Sequence, residues 1–224
     1  MKLPEGTTEP PIESWIDIPL SLFVDRVRRE ASARQDSDSL SHPLVIALDG
    51  RSGAGKTTFA RLLTQELGAA PLGADDIAWY APMFGWADLA REGILEPLRA
   101  GRSVDFKPPA WTEQGREGSI VVPANVNFVV FEGVGSSQEP LGDLVDYRIW
   151  VQSDAQTARR FGLARDIEDG TNGDAEESVR FWDDWDEQER EFFEKDRPWE
   201  RADLVIAGNS DDYAPQGSVR IATF

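Results

Sequence analysis

The stretch IALDGRSGAGKTTFARLL, residues 46–63, decides the fold of this 224-residue chain. Its segment GRSGAGKT, residues 50–57, matches G-x-x-x-x-G-K-[ST], a pattern in which glycines let backbone N–H groups surround phosphate oxygens. In this pattern the lysine, here Lys56, reaches the β and γ phosphates, and the hydroxyl of Thr57 is a ligand for Mg²⁺. We therefore predict that the nucleotide is bound by Gly50, Ser52, Gly53, Ala54, Gly55, Lys56, Thr57 and Thr58.

The segments on either side of this loop have the character that the motif requires. PLVIALD, residues 43–49, is a short apolar run typical of a strand buried on both faces of a parallel sheet. KTTFARLLTQELG, residues 56–68, predicts an amphipathic helix that ends at Gly68. Because a strand precedes the loop and a helix follows it, nucleotide binding is a better explanation than a chance match in a glycine-rich loop.

Strand-like and helical patterns alternate along the rest of the chain. NFVVFEGV, DYRIWVQ and DLVIAG have the character of buried strands, and APLGADD is a weaker candidate. This alternation predicts an α/β fold, with a parallel sheet between helices on both faces. We expect a loose tail over 1–13, an amphipathic helix ending before about residue 40, a linker at 36–43, and one domain over 41–224.

Composition limits the classes of function. A formal net charge of −18 argues against nucleic acid as the main partner, because binding to a phosphate backbone needs clustered Lys and Arg. No apolar run is long enough to predict a membrane span, and the acidic, proline-containing N-terminus does not resemble a signal peptide. The absence of cysteine excludes disulfide and thiolate chemistry. We expect a cytoplasmic protein, whose oligomeric state the sequence leaves open, a homo-oligomer included.

Acidic residues follow two of the predicted strands. PLGADDIAWY places Asp75 and Asp76 after a short apolar run, and VNFVVFEGVGSS places Glu132 at the tip of a buried one. Ligands of open α/β sheets gather at this edge, where a carboxylate can accept a hydroxyl proton or hold Mg²⁺ beside phosphates. A helix or turn cap is the alternative for the aspartates, whereas a buried Glu132 would need a partner.

Two helical patterns follow the strand DYRIWVQ. The first, in DAQTARRFGLARDIEDG, carries Arg159, Arg160 and Arg165, whose guanidinium groups suit phosphoryl oxygens. Surface ion pairs with the many nearby acids are the alternative. The second, residues 174–195, is acidic and begins with a predicted capping box. Aromatic residues at helical spacing on it more often belong to a core than to a binding site.

Together these motifs resemble those of the uridine kinase-like family of P-loop kinases, over residues 44–208. The resemblance rests on DGRSGAGKTT, on DD followed by FGW at 84–86, and on VVFEGVGSS, RRFGLARD and RPWERADLVIAG, in the family's order. It implies a three-layer P-loop NTPase fold with a five-stranded parallel sheet and a helical lid over about 157–198. It also implies Mg²⁺ with ATP as phosphoryl donor, and a hydroxyl of a nucleoside or similar metabolite as acceptor.

The resemblance also assigns roles by position. It implies that Asp75 is the general base, a role that Asp76 could exchange with it, and that the catalytic cations are Lys56, Arg160 and Arg165. The metal-associated residues would be Thr57, Glu132 and Asp76. Lys107 and Trp111 lie where the family builds part of its acceptor pocket, although Trp111 could equally belong to the core. The sequence departs from the family at Asp169, where an arginine is usual, and at Ile77 and Ala78, where Phe and Tyr are usual.

The sequence therefore predicts an ATP-dependent kinase that phosphorylates a hydroxyl of a nucleoside (uridine-like) or similar metabolite. The loop alone is shared by GTPases, motor ATPases and kinases. The chain lacks the GTPase pattern N-K-x-D and has little length for a motor, which favours a kinase. The alternative is a regulatory ATPase that binds nucleotide but has no small-molecule acceptor, and a kinase for pantothenate or a sugar would differ only in its acceptor.

Overall fold

The computed structural model describes residues 1–34, 42–209 and 214–223. These residues form nine strands: β1 (Trp15–Pro19), β2 (Leu44–Gly50), β3 (Ala70–Gly73), β4 (Val104–Phe106), β5 (Ile120–Val122), β6 (Phe128–Glu132), β7 (Tyr147–Gln152), β8 (Leu204–Ala207) and β9 (Ser218–Ala222). The α-helices are α1 (Leu20–Ser32), α2 (Lys56–Leu67), α3 (Ala74–Ala78), α4 (Ala87–Ala90), α5 (Glu96–Arg99), α6 (Pro109–Glu113), α7 (Ala155–Asp169) and α8 (Ala175–Asp196). A π-helical turn, Arg91–Leu95, joins α4 to α5.

The described strands form one large sheet in the order β1-β9-β8-β7-β2-β6-β3, with β4 and β5 as a separate antiparallel pair. The five strands from β8 to β3 are parallel, as predicted. The sheet itself has seven strands, because β9 pairs antiparallel with β8, and β1 with β9. The strand β1 is the edge of the sheet and β9 lies between β1 and β8; both mix polar with apolar residues, so neither shows the continuous apolar run that marks the central strands.

Alternate residues of the central strands pack on opposite faces of the sheet. On β2, Leu44, Ile46 and Leu48 face the layer formed by α1 and α2, with Phe23 and Leu63 in the same cluster. The other face of the sheet meets the layer that runs from α3 to α6. Both faces of the sheet are buried, which explains why its central strands are continuously apolar. The predicted three-layer α/β fold is confirmed.

The N-terminal segment is attached to the domain, so the expectation of a loose tail over 1–13 is wrong. The Lys2 N–H donates to Asp154 at 3.0 Å, and the Lys2 carbonyl accepts from Ala155 at the start of α7. Thr8 donates its N–H to Glu194 of α8. The segment therefore contacts both α7 and α8. The predicted linker at 36–43 lies mostly outside the described residues, and the division at residue 40 stays a prediction.

The helices α7 and α8 form a hairpin over the phosphate loop. The predicted capping box is present: Asp174 accepts the Glu177 N–H and Glu177 accepts the Asp174 N–H, each at 2.9 Å. Between the helices, Trp182 packs against Gly162 and donates its indole N–H to Asp166 at 2.9 Å. Among the described residues, no helix has both the length and the apolar character to span a membrane.

Candidate active site

The loop between β2 and α2 has the geometry of a phosphate-binding loop. Gly53 has a φ of 73°, and a Cβ there would lie 2.1 Å from the carbonyl oxygen of Ala158, so only glycine fits beneath α7. Lys56 begins α2, is buried, and donates its Nζ to the carbonyl of Arg51 at 3.0 Å. The helix dipole of α2 and the loop amides make this end of the sheet favourable for phosphate oxygens.

A buried aspartate, which the sequence analysis did not single out, connects the phosphate loop to the segment that follows β6. Asp49, 1% exposed, ends the apolar run of β2. It accepts N–H groups from Gly50 at 2.7 Å, Gly135 at 2.8 Å and Ser137 at 3.0 Å, and the Ser137 hydroxyl at 2.8 Å. Burial raises the pKa of Asp49, and the hydrogen bonds from Ser137 and Gly135 oppose that rise. Its position directly before the glycine motif was the available signal.

A cleft of about 640 Å³ extends from the phosphate loop to the tips of β3 and β6. Its lining brings together Lys56, Thr57, Asp75 and Glu132, as the motif spacing predicts. The Thr57 hydroxyl donates to Glu132 at 3.3 Å. Burial raises the pKa of Glu132, Lys56 lowers it, and the charge of Asp75 adds to the rise. The Asp75 carboxylate is therefore close enough to raise the pKa of Glu132.

The residues of the cleft fit a bound Mg²⁺. A hydroxyl and a carboxylate are hard oxygen ligands, and Mg²⁺ in nucleotide sites takes few protein ligands because phosphates and water complete its shell. In the part of the chain that the structure describes, no group of three or more His, Asp or Glu side chains forms a cage for a metal. The raised pKa of Glu132 indicates a carboxylate whose charge a nearby cation would stabilise.

The second aspartate of the pair faces away from this cleft. The Asp76 carboxylate pairs with Arg116 at 2.5 Å, and its backbone carbonyl accepts the indole N–H of Trp111 at 2.9 Å. Trp111 is buried, with Arg116 over its ring, and Lys107 is exposed. None of Asp76, Lys107 and Trp111 is among the residues that line the cleft. The structure therefore brings Asp75 to the phosphate loop and leaves these three residues outside.

The three arginines of α7 have different surroundings. Arg165 lines the cleft and pairs with Asp166, its Nε lying 2.8 Å from that carboxylate. Arg160 is exposed, and its guanidinium lies 5.3 Å from the ring of Phe161. Arg159 pairs with Asp183 and Asp186 of α8, the surface ion pairing that was the alternative for these arginines. Of the three arginines, Arg165 is the one that lines the cleft.

Aromatic side chains form one wall of the cleft. They come from α7, from α8 and from the segment after α3, where Tyr80 and Phe84 both have φ of 57°. Phe84 stacks on Phe192 of α8, with ring centroids 4.2 Å apart. The aromatic residues that line the cleft are Trp79, Phe161, Phe181, Trp182 and Trp185. Three aromatic residues of the acidic helix α8 therefore line the cleft, whereas the sequence favoured the core over a binding site for the aromatic residues of this helix.

Two further residues that the sequence analysis missed touch the phosphate loop. Asn209, directly after β8, donates its side-chain N–H to the carbonyl of Gly53 at 2.7 Å. Its signal was its place at the carboxyl edge of a parallel strand. Glu189 of α8 accepts the N–H of Ser52 at 2.7 Å. Its signal was a carboxylate at helical spacing from Trp182, Trp185 and Phe193.

The N-terminal segment also reaches the loop, through a buried ion pair. The carboxylate of Glu9 lies 2.6 Å from Arg51, and both side chains are almost fully buried. Glu9 also accepts the indole N–H of Trp150 at 2.7 Å and an amide N–H of Gln152 at 3.0 Å. Arg51 lies over the ring of Phe193 in α8. The first ten residues thus help to hold the phosphate loop against α8.

Comparison with known proteins establishes the fold. No model of a protein family matches the chain, and a search of curated proteins gives no match. Among solved structures, D-glycerate 3-kinase from Cryptococcus neoformans var. grubii is 13% identical, over 84% of this chain and 94% of its own, with a TM-score of 0.59. YGR205w protein is 12% identical, over 91% and 97%, with a TM-score of 0.59.

A third structure, from Silicibacter sp. TM1040, carries the provisional name of fructose transport system kinase. It is 19% identical, over 83% of this chain and 95% of its own, with a TM-score of 0.50. At these identities the likeness is one of fold. The chain therefore shares the α/β fold of these structures, and its activity and acceptor belong to the proposal that follows.

Proposed function

We propose that this protein is an ATP-dependent small-molecule kinase that transfers the γ-phosphoryl group to a hydroxyl of a nucleoside (uridine-like) or similar metabolite. The observation that carries the proposal is a single cleft that holds both ends of such a reaction. The phosphate loop with Lys56 and Thr57 lines this cleft together with Asp75 and the aromatic wall. A fold neighbour, D-glycerate 3-kinase, is named for the phosphorylation of a small hydroxy acid.

In the proposed reaction the loop binds the phosphates and Asp75 acts on the acceptor. The Asp75 carboxylate takes the proton of the acceptor hydroxyl, and that oxygen forms a bond to the γ-phosphorus. The bond from the γ-phosphorus to the bridging oxygen breaks in line, and ADP leaves. Lys56 and Arg165 hold charge on the transferring group, and the loop amides position the chain of phosphates.

Magnesium would be held by Thr57 and Glu132 beside the phosphates, where it supplies positive charge to their oxygens. We do not assign Asp76 to the metal, because its carboxylate is paired with Arg116. We likewise do not assign Lys107 and Trp111 to the acceptor. The aromatic residues Trp79, Phe181 and Trp185 replace them as candidate acceptor contacts. Flat apolar walls suit an acceptor with a planar or apolar part.

The test is ADP release from Mg-ATP across a panel of nucleosides, pantothenate, D-glycerate and simple sugars, with phosphorylated product identified by mass. We expect one class of acceptor to stimulate release, and Lys56→Ala to abolish transfer while the protein stays folded. Asp75→Asn should lower turnover by about 10²–10⁴-fold with little change in ATP affinity. Asp88→Asn, an exposed aspartate on α4, is the matched control.

Two results would contradict the proposal in different ways. Loss of ATP affinity in step with turnover in Asp75→Asn would remove the general-base assignment. ATP hydrolysis that no member of the panel stimulates would favour the alternative from the sequence, a regulatory ATPase without a small-molecule acceptor.

A further inference from the structure

A carboxylate of the α7–α8 hairpin accepts a hydrogen bond from a backbone amide of the phosphate loop. Glu189 of α8 is only 5% exposed, and its Oε1 accepts the N–H of Ser52 at 2.7 Å and the indole N–H of Trp185 at 3.2 Å. Arg51 and Lys56 are near enough for their charges to act on it. Two N–H donors and two cations around one carboxylate oxygen are the surroundings that a phosphate oxygen takes in such a loop.

This arrangement is not required by the packing of the helix. Glu189 continues the stripe formed by Trp182, Trp185 and Phe193, where an apolar side chain would pack without desolvating a carboxylate. The α7–α8 contact is supported independently, by Trp182 against Gly162 and by its hydrogen bond to Asp166. A carboxylate at 189 therefore has a specific partner in the loop.

We propose that Glu189 is an internal occupant of the phosphate loop, which the polyphosphate of the nucleotide displaces from the Ser52 amide when it binds. The inference rests on the proposed function only in taking ATP as the ligand of this loop. The Ser52 N–H cannot donate a well-aligned hydrogen bond to a carboxylate oxygen and a phosphate oxygen at the same time. In addition, the carboxylate and the phosphate are both anions and repel each other in a poorly solvated site. Binding of the donor thus separates Glu189 from the loop.

The displacement would also reach the acceptor end of the cleft. Trp185 donates its indole N–H to the same carboxylate oxygen, and Trp185 lines the same cleft as Asp75. It also contacts Phe84, at 5.5 Å between ring centroids. When Glu189 moves, Trp185 loses its partner, so occupation of the phosphate loop changes the aromatic wall against which an acceptor would bind. Donor binding therefore prepares the acceptor side.

The experiment measures binding of ATP and of inorganic tripolyphosphate by calorimetry, which needs no acceptor. Glu189→Gln removes the charge, Glu189→Ala removes the competing group, and Glu191→Gln makes the same charge change at an exposed site on the same helix. We expect Kd for both probes to fall about tenfold in the two Glu189 variants, a change of ~1.4 kcal/mol. Kd should be unchanged in Glu191→Gln, and adenosine should show no gain in any variant.

A second measurement, tryptophan fluorescence, reports directly on the aromatic wall of the cleft. Tripolyphosphate should change tryptophan emission in the wild type, and this change should shrink in Glu189→Ala, where Trp185 has already lost its partner. Unchanged or weaker binding of both probes by a folded Glu189→Ala would overturn the inference, even if ATP binds well to the wild type. If the wild type binds neither probe, the proposed function fails, and the inference survives only if Glu189→Ala gains binding.

Discussion

Replacement of Asp49 by alanine is the most demanding test of how the phosphate loop is held. The change leaves three buried backbone N–H groups without an acceptor, those of Gly50, Gly135 and Ser137. An unsatisfied buried donor costs about 1–3 kcal/mol. Removing a desolvated carboxylate, whose pKa burial raises, offsets part of that loss. We expect Asp49→Ala to lower the free energy of unfolding by about 3–5 kcal/mol, a large part of the ~5–15 kcal/mol typical of a domain.

Asparagine at the same position separates the hydrogen bonds from the charge. Its carbonyl oxygen can keep the bonds from Gly50 and Gly135, whereas its amide group faces the Ser137 N–H, donor against donor. We therefore expect Asp49→Asn to cost about 1–3 kcal/mol, less than alanine. At ~2–4 °C per kcal/mol for a chain of this size, alanine should lower Tm by about 6–20 °C.

The assay is urea unfolding followed by tryptophan fluorescence and circular dichroism, with Asp25→Ala on the exposed face of α1 as control. Asp25→Ala should change stability by no more than about 0.5 kcal/mol. A loss below ~1 kcal/mol in Asp49→Ala, or an asparagine variant less stable than the alanine variant, would refute the assignment of Asp49 as the shared acceptor.

Three shorter predictions concern the α7–α8 hairpin, the N-terminal segment and pH. Gly162→Ala places a methyl group where a ring atom of Trp182 lies 2.2 Å away; it should cost about 1–3 kcal/mol and speed proteolysis between α7 and α8, and an unchanged cleavage rate would contradict the close packing. Glu9→Ala leaves the buried charge of Arg51 unpaired and should cost about 3–5 kcal/mol in urea unfolding, with Glu9→Gln less affected; equal, small losses would show that the ion pair is unimportant. The pKa of Glu132 is raised in the folded state by burial, so its ionisation opposes folding above that pKa and has no effect below the unfolded value of about 4.3. Glu132→Gln should therefore gain stability relative to the wild type as pH rises from 4 to 8 in thermal melts, and a constant difference would remove the claim that burial governs this carboxylate.

Much of the architecture was readable from the residues because its signals are local. The apolar run of β2, the glycine motif and the helical spacing of α2 each lie within a short window, and apolar runs also mark the parallel strands β6, β7 and β8. The capping box of α8 is likewise set by residues three positions apart. The edge strand β1 was missed because it is short and lies in a proline-containing segment.

The composition of the site was less predictable because its contacts join distant parts of the chain. Glu9 meets Arg51 across 42 positions, and Glu189 meets Ser52 across 137. Neither pair leaves a periodic pattern, since each depends on how the N-terminal segment and the α7–α8 hairpin lie on the loop. Asp76 illustrates the converse: adjacent to Asp75 in sequence, it lies on the other side of α3, paired with Arg116.

In the proposed reaction the terminal phosphoryl group of ATP reaches a small-molecule hydroxyl, so a label on that group reports the transfer itself. ATP labelled at the γ-phosphorus would be incubated with the protein, Mg²⁺ and a mixed extract of small metabolites, and the labelled products separated by chromatography. We expect the label to appear in an organic phosphate ester, and Lys56→Ala to abolish that product. Label that appears only as inorganic phosphate, at a rate independent of the metabolites, would contradict this expectation.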